Sequence, residues 1–275
     1  MKKFICAVLA LVMVLSLAAC GSKQDDNGGK TDVDLTAQEV LDKLKETLGD
    51  SYGCDAQDDE DRMTNYYGLD MSLPEITTLA KKYGARVMVD DAHAFGVIGE
   101  GGRGSASYFG LEQEIDIYMG TFSKSMASLG GYMAADARVC DYVRCNSRPY
   151  IFSASVPPAN IAVATAALRH LKAHPELPRQ LLDISQYMRD GLHARGVKII
   201  DADTPIIPIY TYDPIVTLKA QKELYERGVY VNATLPPACA PGECLLRCTL
   251  MATHTKALVD EAVDIIADVL HQYDL

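Results

Sequence analysis

Residues 73–275 are predicted to form an α/β architecture: a larger domain over 73–173, with a mostly parallel sheet and flanking helices, then a smaller α+β domain over 174–275. Three observations predict it. Helical and strand-like runs alternate from Leu73 onward. The strand-like runs in the first half are short and apolar, as strands buried on both faces are. Segments rich in Asp, His, Thr and Lys follow two of these runs, at the strand ends where open α/β sheets gather ligand chemistry.

The elements follow in order. Ser72 and Glu75 have capping-box spacing, Pro74 sits where a first-turn proline is tolerated, and Gly84 can close the helix between them. Residues 86–89 (RVMV), 115–119 (IDIYM) and 131–134 (GYMA) read as strands. A long helix is expected over 157–174, with Ile161, Ala164, Leu168 and Leu171 on one face. The smaller unit reads as an amphipathic helix over 177–196, strand-like runs at 198–200 and 206–210, and a helix over 214–227. Strands at 230–232 and 245–250 and a terminal helix from 255 complete it. No internal repeat is visible.

The first 72 residues have a different character. Lys2 and Lys3 precede a short apolar run, and Leu17-Ala18-Ala19-Cys20 ends it. The run is too short for a comfortable membrane span and has the form of a secretory signal over 1–20. The small residues before Cys20 resemble a bacterial lipobox, which implies lipidation of Cys20 and an extracytoplasmic, membrane-anchored location. The other reading is an ordinary signal peptide in which the cysteine is incidental. Residues 21–34 read as a polar tether, 36–48 as an amphipathic helix and 55–62 as an acidic loop. Together 21–72 resemble small lipid-anchored proteins of Gram-positive bacteria.

Composition excludes some classes. The formal charge of −11 argues against nucleic-acid binding and against an electrostatic hold on anionic lipid, so a membrane contact would run only through the anchor on Cys20. The eight cysteines show neither CxxC spacing nor a neighbouring histidine pair. They read as small buried hydrophobes, and no metal site is expected.

Two segments carry chemistry: Val89-Asp90-Asp91-Ala92-His93 with its glycine-rich continuation to Gly104, and Gly120-Thr121-Phe122-Ser123-Lys124 followed by Gly130-Gly131. Singly, each residue has a bland reading: a solvated lysine, an Asp-Asp helix cap, a structural histidine. In this order and separation, with RPYIFSASVPP and LLRCTLMATHT downstream, they resemble the α-oxoamine synthase family of fold-type I pyridoxal-phosphate (PLP) enzymes. That family includes 8-amino-7-oxononanoate synthase, glycine C-acetyltransferase and serine palmitoyltransferase. The residues NATLPPA and MATHT look closer to the serine-palmitoyltransferase-like members, and Leu235 stands where the oxononanoate synthases carry an arginine before Pro-Pro.

The resemblance implies a partial fold-type I large domain, PLP as cofactor and a decarboxylating condensation of an amino acid with an acyl-CoA. It implies Lys124 as the Schiff-base lysine, Asp90 at the ring nitrogen and His93 at the ring hydroxyl. Thr121, Ser153 and Ser155 would meet the phosphate, the serines across a homodimer interface, and Arg247 would bind the amino-acid carboxylate. A lysine supplies the amine, a carboxylate favours the protonated pyridine, and a guanidinium can grip a carboxylate through two hydrogen bonds.

The family's stretch before the Asp-Asp-Ala-His motif has no counterpart in residues 21–70, and His93 is the first histidine. The resemblance therefore implies a chain joined to a lipoprotein leader near residue 72, a sheet lacking strands and a site lacking one wall. Two alternatives stay open: a non-catalytic lipid-anchored protein that retains the fold, and a PLP aminotransferase of class I/II.

Overall fold

The computed structural model describes residues 73–275. The leader, Cys20, the tether, the helix expected over 36–48, the acidic loop and Ser72 lie outside the described residues. Two three-stranded sheets organise the rest, each with its own apolar cluster.

The first sheet has the order β1-β2-β3: β1 is Met88–Asp90, β2 is Ile117–Thr121 and β3 is Gly131–Ala135. β1 and β2 are parallel, with Asp90 opposite Met119. β3 runs antiparallel to β2, an edge arrangement common on otherwise parallel sheets. Strand β1 starts later than the run at 86–89 suggests, and the reason is local. The Asp116 carboxylate accepts from the Val87 N–H and pairs with Arg86, so residues 86–87 are held by a side chain. Helix α1 (Leu73–Lys82) packs Leu73, Thr77 and Ala80 inward at one-turn spacings, and Gly84 closes it at φ 65°. Leu73 and Ala80 cluster with Val87, Val89, Ala106 and Ile115.

Three short helices have no counterpart in the sequence reading: α2 (Ser105–Phe109), α3 (Ala137–Asn146) and α4 (Arg148–Phe152). Neither α3 nor α4 buries a residue, although Val139, Tyr142 and Val143 repeat at helical spacing on α3. Helix α5 (Pro158–Ala173) buries only Ala164 and leaves Ile161 and Val163 exposed.

The second sheet has the order β4-β6-β5, all antiparallel: β4 is Ile206–Tyr212, β5 is Asn232–Thr234 and β6 is Cys244–Thr249. The run at 198–200 forms only a bridge, Ile199 to Ile209. Strand β5 falls two residues later than expected because Asn232 is the residue that meets Arg247 in the ladder. Helices α6 (Leu177–Ala194), α7 (Pro214–Glu226) and α8 (Lys256–His271) cover this sheet. Asp213 caps α7 through the Ile215 and Val216 N–H groups, and Thr255 caps α8 through the Leu258 N–H. Among the described residues no helix is long and apolar enough to cross a membrane.

Candidate active site

The parallel pairing of β1 and β2 brings Asp90 and Thr121 to the same end of the sheet. Side chains alternate along strands, and the register places Asp90, Met119 and Thr121 on one face. Met88, on the same face as Asp90, is exposed. Asp90 itself is exposed, and one carboxylate oxygen accepts from the Ala92 N–H at 2.9 Å.

Lys124 lies in the turn that joins β2 to β3. The turn is drawn tight by Phe122 N–H to Gly130 O (2.9 Å), Ser128 N–H to Phe122 O (2.8 Å) and Ala127 N–H to Lys124 O (3.0 Å). The exposed Lys124 Nζ donates to Thr121 Oγ1 at 3.1 Å, and Ser123 Oγ donates to the same oxygen at 3.3 Å. One amine and two hydroxyls therefore converge at the end of β2.

His93 stands in the turn after β1, where the Ala94 and Phe95 N–H groups both donate to Asp91 O. Its imidazole is half-buried, and its pKa is pushed down to about 4. Burial is the main cause, and the positive charges of Arg247 and then Lys124 add to it. The ring is thus neutral at physiological pH. Arg247 belongs to β6, so charges from both sheets act on this imidazole.

Two residues that the sequence reading left without a role hold this arrangement. Asp91 is 2% exposed, and its Oδ1 accepts from the Ser105 N–H at 3.1 Å, capping α2 from fourteen residues upstream. Burial raises its pKa against that hydrogen bonding. Gly104 is required there: its φ is +95°, and an added Cβ would stand 2.1 Å from Asp91 Oδ2. Ser125 Oγ donates to Phe95 O at 2.5 Å and so locks the lysine turn to the histidine turn. The Asp-Asp doublet hinted at a cap; nothing in the spacing pointed to Ser125.

Ser153 and Ser155 are exposed in the extended segment between α4 and α5, and neither hydrogen-bonds another described residue. Within one protomer, the hydroxyls beside Lys124 are those of Thr121 and Ser123.

Residues 63–266 match the family described as Aminotransferase class I and II. The chain is 44% identical over 204 residues to a serine palmitoyltransferase of Bacteroides thetaiotaomicron, covering 74% of this chain and 52% of that protein. It is 42% identical over 199 residues to an 8-amino-7-oxononanoate synthase of Geotalea daltonii, covering 72% and 51%. The chain belongs to the α-oxoamine synthase family of fold-type I PLP enzymes. A serine palmitoyltransferase structure solved with PLP superposes with a TM-score of 0.70 at 35% identity, over 74% of this chain and 52% of that one. The Sphingomonas wittichii serine palmitoyltransferase gives 0.70 at 33%, over 74% and 51%. The chain thus spans about half the length of the curated relatives it matches.

PLP is the cofactor of the α-oxoamine synthases, and the described residues fit most of its chemistry. An accessible amine on Lys124 suits the aldehyde, the open carboxylate of Asp90 suits the ring nitrogen, and neutral His93 suits the ring hydroxyl. The Thr121 and Ser123 hydroxyls can meet the phosphate as neutral donors.

Proposed function

We propose that the chain carries the lysine-bearing part of a PLP-dependent acyltransferase that joins an amino acid to an acyl-CoA with loss of carbon dioxide. The observation that carries this reading is that the parallel pairing of β1 and β2 brings Asp90, Thr121 and the Lys124 amine, which donates to Thr121 Oγ1, to one end of the first sheet. Bound PLP supplies an electron sink that stabilises negative charge at the amino acid's α-carbon.

The protein's own groups do the rest. Lys124 Nζ would hold the cofactor through its aldehyde, and the free amine, which stands beside the Thr121 hydroxyl, would be placed to take a proton. The Asp90 carboxylate would accept from the protonated ring nitrogen. Neutral His93 would hydrogen-bond the ring hydroxyl without adding charge to the site. Arg247 binds the substrate carboxylate through two hydrogen bonds, which orients the α-carbon. Ser155 and Ser153 act from a second protomer. A homodimer is supported by the exposed apolar residues Tyr150, Ile151 and Phe152 beside them, Phe152 being 83% exposed. Cys20 is proposed to carry a lipid that holds the chain on the outer face of the cell membrane. Radiolabelled fatty acid should enter the protein and be lost in Cys20→Ser.

The test of the site is direct. Purified protein mixed with PLP should develop a visible absorption band that borohydride fixes onto Lys124, and Lys124→Ala should abolish it. With an amino acid and an acyl-CoA, wild type should release free CoA thiol. Lys124→Ala should be slower by on the order of 10²–10⁴-fold from the lost proton transfer alone. A band of equal strength in Lys124→Ala would remove the cofactor assignment. Cofactor capture without CoA release would point to a retained fold without turnover, and amino-group transfer without CoA release to an aminotransferase.

A further inference from the structure

We infer that Cys239 and Cys244 form a thiol pair that closes into a disulfide when an oxidising disulfide compound is present, clamping the loop that joins β5 to the start of β6. The geometry comes from the ladder. Thr234, the last residue of β5, pairs with Leu245, the second residue of β6. The segment 235–243 leaves this end through two turns, closed by Ala238 N–H to Leu235 O (2.8 Å) and Glu243 N–H to Ala240 O (3.0 Å). Its tip residues Pro236, Pro237, Ala238, Pro241, Gly242 and Glu243 are exposed, yet Cys239 turns inward and is only 4% exposed.

The Cys239 thiol reaches back to Thr234 O at 3.6 Å, and it lies within hydrogen-bonding reach of the Cys244 thiol. Cys244 is fully buried and immediately precedes Leu245. Both thiols are thus buried at the loop end of the hairpin, Cys239 against Thr234 and Cys244 one residue before the ladder partner of Thr234. The third cysteine of this half is placed differently: Cys248 Sγ faces Met188 Sδ at 3.9 Å. Bridging would tie down the end of the strand that carries Arg247, although the inference itself does not rest on the proposed activity.

The chemistry balances as two thiol–disulfide exchanges. The Cys239 thiolate attacks one sulfur of the oxidant and expels the other as a thiolate, leaving a mixed disulfide. The Cys244 thiolate then attacks the Cys239 sulfur, the Cys239–Cys244 bond forms, and the second oxidant thiolate leaves. The two protein protons pass to the two leaving thiolates, so the oxidant is reduced to two thiols. Burial and the neighbouring Cys244 push the Cys239 thiol up to about 11, so exchange in the folded protein is slow.

The test uses the full-length protein and oxidised glutathione. One sample is incubated folded, and a second is unfolded, reduced and refolded in the same mixture. Free thiols are then blocked, and peptides are mapped without reduction. The expected result in the refolded sample is a single Cys239–Cys244 linkage with the loss of two hydrogen atoms, appearing more slowly in the folded sample. The oxidised protein should unfold at a higher urea midpoint, and that shift should vanish in Cys244→Ser. If Cys239 and Cys244 remain free in both samples, take up glutathione separately, or bridge to Cys248, the inference is overturned.

Discussion

The two halves of the molecule bury themselves differently. Among the described residues, the cluster under the second sheet contains nineteen buried side chains, drawn from α6, α7, α8, strands β4 and β6 and the segments that flank them. The cluster beside the first sheet contains six. In the second half, Ile207, Ile209, Leu246, Ile266 and Leu270 are fully buried, and the sheet is covered along its length. In the first half, Met88 and Asp90 face outward, and α3 and α4 bury nothing. Yet Lys124, Asp90, His93 and Thr121 all belong to this thinner half. It is held together by specific polar locks, namely Asp91 to Ser105, Ser125 to Phe95 and Asp116 to Val87, where the other half adds a far larger apolar cluster to its own buried polar contacts at Arg189 and Thr211. Apolar burial confers stability without direction, while a hydrogen bond fixes the placement of a loop that must hold reacting groups.

The sharpest way to break this contrast is to make the same deletion in both halves. Ile266→Ala empties a fully buried position on α8 and should cost at the upper end of about 2–5 kcal/mol, because the surrounding side chains cannot collapse into the space. Ile115→Ala deletes the same atoms at the edge of the smaller cluster and should cost near the lower end of that range. Urea unfolding of each variant measures both. Equal costs would mean that the first half is as tightly packed as the second.

A smaller effect is expected at the polar locks. Asp91→Ala leaves the buried Ser105 N–H without its acceptor and should cost about 1–3 kcal/mol. Asp91 also has a pH signature. Its folded pKa lies above the unfolded value, so the native state binds more protons through that interval. Its contribution therefore improves as pH falls from the raised value toward the ordinary 3.8, and weakens as pH rises through the same interval. Asp91→Asn keeps an acceptor and removes the titration, so it should flatten this slope with a smaller loss of stability. Unfolding midpoints collected across acidic pH decide it. An unchanged slope would remove Asp91 as a buried titrating group.

How much of this was legible in the sequence differs between the halves for the same reason. Helices α6 and α8 were readable because a buried face repeats at helical spacing: Ile184, Met188 and Leu192, then Val259, Val263, Ile266 and Leu270. The lysine turn and the Asp-Asp-Ala-His turn were readable as motifs. The contacts that hold those turns were not, because Ser125 to Phe95 and Asp91 to Ser105 join residues thirty and fourteen apart, with no periodicity to mark them. Helix α3 escaped notice although Val139, Tyr142 and Val143 repeat at helical spacing, and α4, at five residues, is too short to show a period. Strand β5 was displaced because β-rich composition locates a strand without setting its register. The register comes from Arg247 and Leu245 on the partner strand.

The smallest expected effect tests whether the halves form one electrostatic site. His93 belongs to the first half and Arg247 to the second, and the guanidinium is the largest charge contribution to the low His93 pKa, after burial. Arg247→Gln removes the charge and keeps much of the volume. The His93 midpoint should then rise from about 4 part of the way toward 6.5, while burial and the Lys124 charge hold it below the ordinary value. The midpoint is read from the imidazole proton resonance in an NMR titration, assigned by its loss in His93→Gln. Stability should follow the same sign. A histidine depressed on folding binds fewer protons in the native state, so its contribution is lost as pH falls from 6.5 to about 4, and that window should narrow in Arg247→Gln. A midpoint that stays put would mean that Arg247 does not reach His93 in solution, and the second half would then serve as a scaffold beside the lysine site with no part in its charge.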